Sequence, residues 1–120
     1  MDHKTNIHEL KEMVRKFCED RDWNQYHGAK DLAIGISTEA AELLEIFRFK
    51  SEDEIRGLFK NPEKKEHISE EVSDVLYFLL RFAQMNNIDM ATAINDKIEK
   101  NNRKYPVDKY KGLNKKYNEY

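Results

Sequence analysis

Cysteine occurs once in these 120 residues, at Cys18, so no internal disulfide can form and no thiolate zinc site is suggested. Proline occurs twice and glycine four times, and Gly28, Pro62 and Pro106 fall where helical periodicity breaks or restarts. No apolar run exceeds Val75–Leu80, far too short to cross a bilayer. The opening residues, Met1–Asn6, lack the apolar stretch of a signal peptide, so a cytoplasmic, non-membrane protein is expected. Neither charge sign dominates: 21 Lys and Arg offset 23 Asp and Glu, for a formal net charge of −2. Interspersed charge of this kind excludes the basic stripe of a nucleic-acid binder. It leaves anionic substrates open, because a bound metal can reverse a local potential.

What is present is helical periodicity throughout. The length suits one domain that buries roughly two-thirds of its unfolded surface, and the pattern predicts an all-α bundle of four to five helices. Asn6 and Glu9 resemble a capping box before a first helix to Asp20, with Ile7, Leu10, Val14, Phe17 and Cys18 on one stripe. A polar loop, Arg21–Gly28, precedes a second helix over about 30–49 that is expected to bury Leu32, Ile36, Ala40, Leu43, Leu44 and Phe47. Ser51–Glu54 opens a short third helix ending near Phe59, and Asn61-Pro62 opens the longest, to about Met85. Asp89 caps a last helix to about Arg103, stopped by Pro106, and the tail over 107–120 is expected to be extended. The long helix is apolar almost all round between Val75 and Ala83, which favours a subunit interface over a helix wrapped by its own chain.

Four carboxylates carry the chemistry: Glu39 and Glu42 on the second helix, then, after 28 intervening residues, Glu71 and Asp74 on the long one. Acids three apart project from one helix face. Ile46 and Phe49 continue the first pair's face, and Phe78 and Met85 continue the second's. A single E-x-x-E is ordinary helix surface, and Glu45, Glu52 and Glu70 suit that role. Glu39 and Glu42 do not, because Gly35 and Ile46 stand where a neutralising Lys or Arg would be. Carboxylates among apolar neighbours cost several kcal/mol per ion unless something positive compensates them. Oxygen ligands without His or Cys select Mg²⁺, with Mn²⁺ as a substitute, over zinc or iron. Four acids carry more charge than one ion balances, which fits two or more ions bridging a polyphosphate. Lys97, Asn101 and Lys104 recur at helical spacing, either as complements to a helix C-terminus or as a phosphate clamp.

These landmarks, from residue 7 to 106, resemble the MazG-like all-α nucleoside triphosphate pyrophosphohydrolases, in particular their small dCTP pyrophosphatase branch. The resemblance rests on Arg21–His27, Glu39–Glu45, Glu71–Leu76 and the stretch from Lys97 through Asn101 to Pro106 taken together. It implies a domain over 1–106 that assembles as a homodimer or homotetramer. It also implies Mg²⁺-dependent cleavage between the α and β phosphates, giving a monophosphate and pyrophosphate. Glu39, Glu42, Glu71 and Asp74 map onto the metal ligands and catalytic acids. Lys97, Asn101, Arg103 and Tyr105 map onto the phosphate-contacting helix end, and Trp23, His27, Phe49 and Phe78 onto the base site. Val14, Phe49 and Phe78 stand where the vertebrate enzymes of that branch carry His, Trp and Tyr, so aromatic faces for stacking are kept while polar readout of the cytosine edge is expected to be lost, since Val14 and Phe78 offer no donor or acceptor. dCTP or a related pyrimidine is the expected substrate. The alternatives are the same chemistry on other or modified triphosphates, including dUTP, and a non-catalytic helical interaction protein.

Overall fold

The computed structural model describes residues 1–116, and among them the chain forms helices and no strand. Six α-helices follow in order: α1 (Ile7–Asp20), α2 (Ala29–Phe47), α3 (Glu52–Lys60), α4 (Pro62–Met85), α5 (Met90–Lys104) and α6 (Val107–Tyr110), with a single 3-10 turn at Asn24–Tyr26. The chain separates into two compact units, Met1–Asn87 and a second that begins at Ile88.

Side-chain caps set the helix starts. The Asn6 side chain accepts from the Glu9 N–H, Ser51 and Glu54 form a complete capping box, and Asn61 accepts from Glu63 and Lys64 ahead of Pro62. Asp89 accepts from the Thr92 N–H. Each satisfies backbone donors that a helix start leaves orphaned.

In the first unit α4 is the central element, packed most extensively on α2 and also against α1 and α3. Cys18, Leu32, Ile68, Leu80 and Ala83 are its buried apolar residues. Several expectations are corrected. The inward face of α2 runs through Leu32, Ile36, Leu43 and Phe47, whereas Ala40 and Leu44 are exposed, Leu44 because it falls about a quarter-turn off that line. Helix α2 also ends two residues early: Phe49 adopts φ 64°, a left-handed conformation that turns the chain toward α3. On α4 the residues Val72, Leu76 and Leu79 are exposed while Leu80 and Ala83 are buried, so its own chain covers only one side of the apolar girdle.

In the second unit the segment after Pro106 is not wholly extended. It forms the one-turn α6, and the Tyr105 and Tyr110 rings meet edge to face at 5.1 Å. The rest of the expected tail, 117–120, lies outside the described residues.

Candidate active site

The first unit brings three of the four carboxylates together. One carboxylate oxygen from each of Glu39, Glu42 and Glu71 lies within 4.8 Å of the others. Glu39 Oε2 and Glu71 Oε2 are buried and have no hydrogen-bond partner. A buried acceptor without a partner costs its full desolvation penalty, and more when charged.

The consequence appears in the titration of these acids. The Glu39 carboxyl is pushed up to about 7, first by a hydrogen bond with Glu42 that only a protonated acid can make. Burial and the charges of Glu42, Asp74 and Glu71 add to it. Glu71 is also raised, chiefly by burial and then by Glu42 and Asp74, while His67 Nε2, 4.0 Å from Glu71 Oε1, pulls the other way. An acid that must hold a proton near neutrality marks a place where a cation would be welcome. Three carboxylates, two of them with an orphaned buried oxygen, fit a hard divalent ion and offer nothing to a soft one.

Asp74 stands outside the tight trio. It lines a cavity of about 280 Å³ together with Phe17, Trp23, His27, Tyr77 and Phe78. Such a volume suits one ring better than a whole nucleotide. The aromatic lining is built edge to face: Phe17 meets Trp23 at 5.6 Å and Tyr77 at 6.0 Å, and Tyr77 meets Phe78 at 5.1 Å. An adjoining apolar recess is lined by Met13, Val14, Phe17 and Tyr77. The Tyr77 hydroxyl lies 3.1 Å from Cys18 Sγ, and burial holds the phenol well above its usual range.

Of the residues expected at the base site, Trp23, His27 and Phe78 line this cavity, while Phe49 does not. Phe49 is 91% exposed beyond the end of α2, with the Arg48 guanidinium 4.6 Å over its ring. In the second unit, Lys97 and Arg103 are exposed on α5, Asn101 and Tyr105 are half-buried, and the Tyr105 N–H donates to the Asn101 carbonyl.

Phe17, Tyr77 and Arg81 belong to this region, yet composition and spacing did not single them out. The available signal was on α4, where Glu71, Asp74, Phe78 and Arg81 follow at helical spacing along one face.

Comparison with known proteins fits this arrangement. The MazG-like family pattern matches residues 34–120. The chain belongs to the MazG-like family. It is similar to dCTP pyrophosphatase 1 of Rattus norvegicus, with 31% identity over 111 residues that cover 92% of this chain and 65% of the relative. Against the Homo sapiens dCTP pyrophosphatase 1 the identity is 29% over 113 residues, covering 94% of this chain and 66% of that protein. The chain thus spans slightly less than two-thirds of the length of these relatives. Among solved structures, a pyrophosphatase from Archaeoglobus fulgidus superposes with a TM-score of 0.78 at 41% identity, covering 87% of this chain and 95% of that one. This MazG-like chain therefore shares its helical scaffold with an experimentally solved pyrophosphatase. No helix among its described residues is long and apolar enough to cross a membrane.

Proposed function

We propose that this MazG-like protein is a divalent-metal-dependent nucleoside triphosphate pyrophosphohydrolase that releases a monophosphate and pyrophosphate. The observation that carries this reading is the pair of orphaned buried oxygens, Glu39 Oε2 and Glu71 Oε2, within a three-carboxylate cluster. Glu39, Glu42 and Glu71 would hold Mg²⁺ or Mn²⁺, with Asp74 completing the set from the cavity side. A bound divalent ion supplies Lewis acidity there, neutralising charge on the leaving pyrophosphate and acidifying a water.

The chain's own groups do the rest. Glu42, the most open of the trio, is the acid suited to orient the attacking water and take its proton. Trp23 and Phe78 supply faces for a planar base in the cavity. In the second unit, Lys97, Asn101, Arg103 and Tyr105 are kept as the phosphate-binding candidates that the family resemblance implies. The small cavity and the dCTP pyrophosphatases among the relatives favour dCTP or a related pyrimidine as substrate. The exposed ridge Val72–Leu76–Leu79 on α4 supports assembly as a homodimer or homotetramer.

The test is pyrophosphate release from a panel of nucleoside triphosphates, dCTP and dUTP among them, with and without Mg²⁺. Metal-dependent release of pyrophosphate and monophosphate is expected, greatest with pyrimidines. Release of orthophosphate, or none with any triphosphate, overturns the reading.

A further inference from the structure

Arg81 is 1% exposed, and no Asp or Glu among the described residues forms an ion pair with it. A buried guanidinium without a carboxylate is costly unless neutral acceptors satisfy it. Here three do. Arg81 Nε donates to His27 Nδ1 at 3.0 Å, Nη1 donates to Gln84 Oε1 at 2.7 Å, and Nη2 donates to Asn24 Oδ1. Gln84 is held in turn, its Nε2 donating to the Lys11 carbonyl at 3.0 Å.

The chemistry of this contact fixes the imidazole. Arginine has five donors and no acceptor, so the ring nitrogen facing it must be bare. Neutral histidine carries one ring proton, which is therefore on Nε2. His27 is only 9% exposed and lines the aromatic cavity, so Nε2–H is the polar group its ring can offer there. Burial, followed by the Arg81 charge, also lowers the His27 pKa, which keeps the ring neutral.

We infer that Arg81 is a positioning residue that locks His27 as a hydrogen-bond donor to the base, so that the cavity takes bases presenting a ring carbonyl or ring-nitrogen acceptor. The inference rests on the pyrophosphohydrolase reading above and adds a determinant of specificity to it. A donor that must be desolvated rejects a ring without an acceptor, because the buried N–H is then left unpaired.

Two measurements test it. In the ¹⁵N-labelled protein, long-range ¹H–¹⁵N correlation should show one imidazole with a bare Nδ1 and a protonated Nε2. That signal should be absent in His27→Asn and become a mixture of tautomers in Arg81→Met. A protonated Nδ1 on the His27 ring of the unaltered protein overturns the inference. The second measurement compares dCTP with the triphosphate of a phenyl deoxyriboside, a ring of similar size without an acceptor. The expected preference for dCTP in kcat/KM is roughly 10- to 100-fold. His27→Asn, whose Oδ1 can still accept from Arg81, should reduce that ratio to within a few-fold, mainly through KM. His27→Gln, whose amide can reach the Nε2 position, should keep most of it. An unchanged ratio in His27→Asn overturns the inference while hydrolysis itself persists. Failure of the unaltered protein to hydrolyse either triphosphate with Mg²⁺ instead overturns the pyrophosphohydrolase reading, and the inference falls with it.

Discussion

Gly35 on α2 and Phe78 on α4 are packed so closely that a Cβ on Gly35 would lie 2.5 Å from Cε1 of the ring. One and two turns forward from Gly35 lie Glu39 and Glu42; one and two turns back from Phe78 lie Asp74 and Glu71. The two helices thus run past each other in antiparallel register, and this contact sets how closely the acidic pairs approach. The same ring forms one wall of the aromatic cavity. Backbone approach, carboxylate spacing and cavity shape all meet at one glycine.

Replacing that glycine should therefore be harmful despite helix propensity. Gly35→Ala gains about 1 kcal/mol from the stiffer helical backbone, but overpacking costs about 1–3 kcal/mol. A net loss of roughly 1 kcal/mol in urea unfolding is expected, with a raised KM from displacement of Phe78. The double variant Gly35→Ala/Phe78→Leu should recover the stability but not the KM. A Gly35→Ala protein more stable than the parent would show that the ring swings away freely.

Removing an acid from the cluster should separate stability from activity. Glu71→Gln relieves like-charge repulsion around a buried oxygen, so the metal-free protein should unfold at a higher temperature than the parent. Its hydrolysis should fall roughly 100-fold or more, the scale of losing one electrostatic partner of a transition state. Calorimetric titration with Mg²⁺ and a non-hydrolysable triphosphate should lose its coupled binding. Full hydrolysis retained by both Glu71→Gln and Asp74→Asn would remove these acids from the site.

Most of this arrangement is legible in the residues because helical spacing is local. Asn6, Ser51, Asn61 and Asp89 announced helix starts that the structure reproduces. The i, i+3 acids announced a shared face. Interhelical relations were harder to read. Periodicity cannot say which of Leu43 and Leu44 turns inward, since each extends an apolar stripe and the packing partner chooses between them. Phe49 continued a helical face on paper, but the chain leaves the helix before reaching it. Arg81 was hidden for the opposite reason. A charge inside an apolar stretch usually reaches solvent along its stem, and only the fold shows His27, Asn24 and Gln84 gathered around it.

The acid held near neutrality gives the metal-free protein a pH signature. With Glu39 raised from 4.5 to about 7, the folded state binds more protons than the unfolded state between those values. Stability from this group is thus full below about 4.5 and declines as pH rises through about 7. Glu71, also raised, acts in the same direction. His27, whose pKa is lowered, opposes it below 6.5, so the comparison must be with Glu39→Gln, which keeps His27. The melting temperature of the parent should fall relative to Glu39→Gln between pH 5.5 and pH 8 without metal. Mg²⁺ should abolish the difference in slope by taking the proton's place. Parallel melting curves without metal would mean that Glu39 titrates as an ordinary surface acid.

The exposed ridge on α4 yields a test of assembly that does not touch the carboxylates. Val72, Leu76 and Leu79 lie on one face and are exposed, whereas Ile68, Leu80 and Ala83 are buried. Three large apolar side chains in line on a central helix exceed the scattered exposure normal for a monomer's surface. A second copy covering them would bury them at about 25 cal/mol per Å² of apolar surface. A charge at the centre of that surface would be buried unpaired, which an interface does not tolerate. Leu76→Glu should therefore shift the sedimentation coefficient to that of a 14.3 kDa monomer while leaving the helical circular dichroism largely intact. A substitution at an exposed residue of α3, Arg56→Glu, should leave the assembly as it was. An oligomer that withstands Leu76→Glu, or a parent that sediments as a monomer at micromolar concentration, would show that this ridge is not where copies meet.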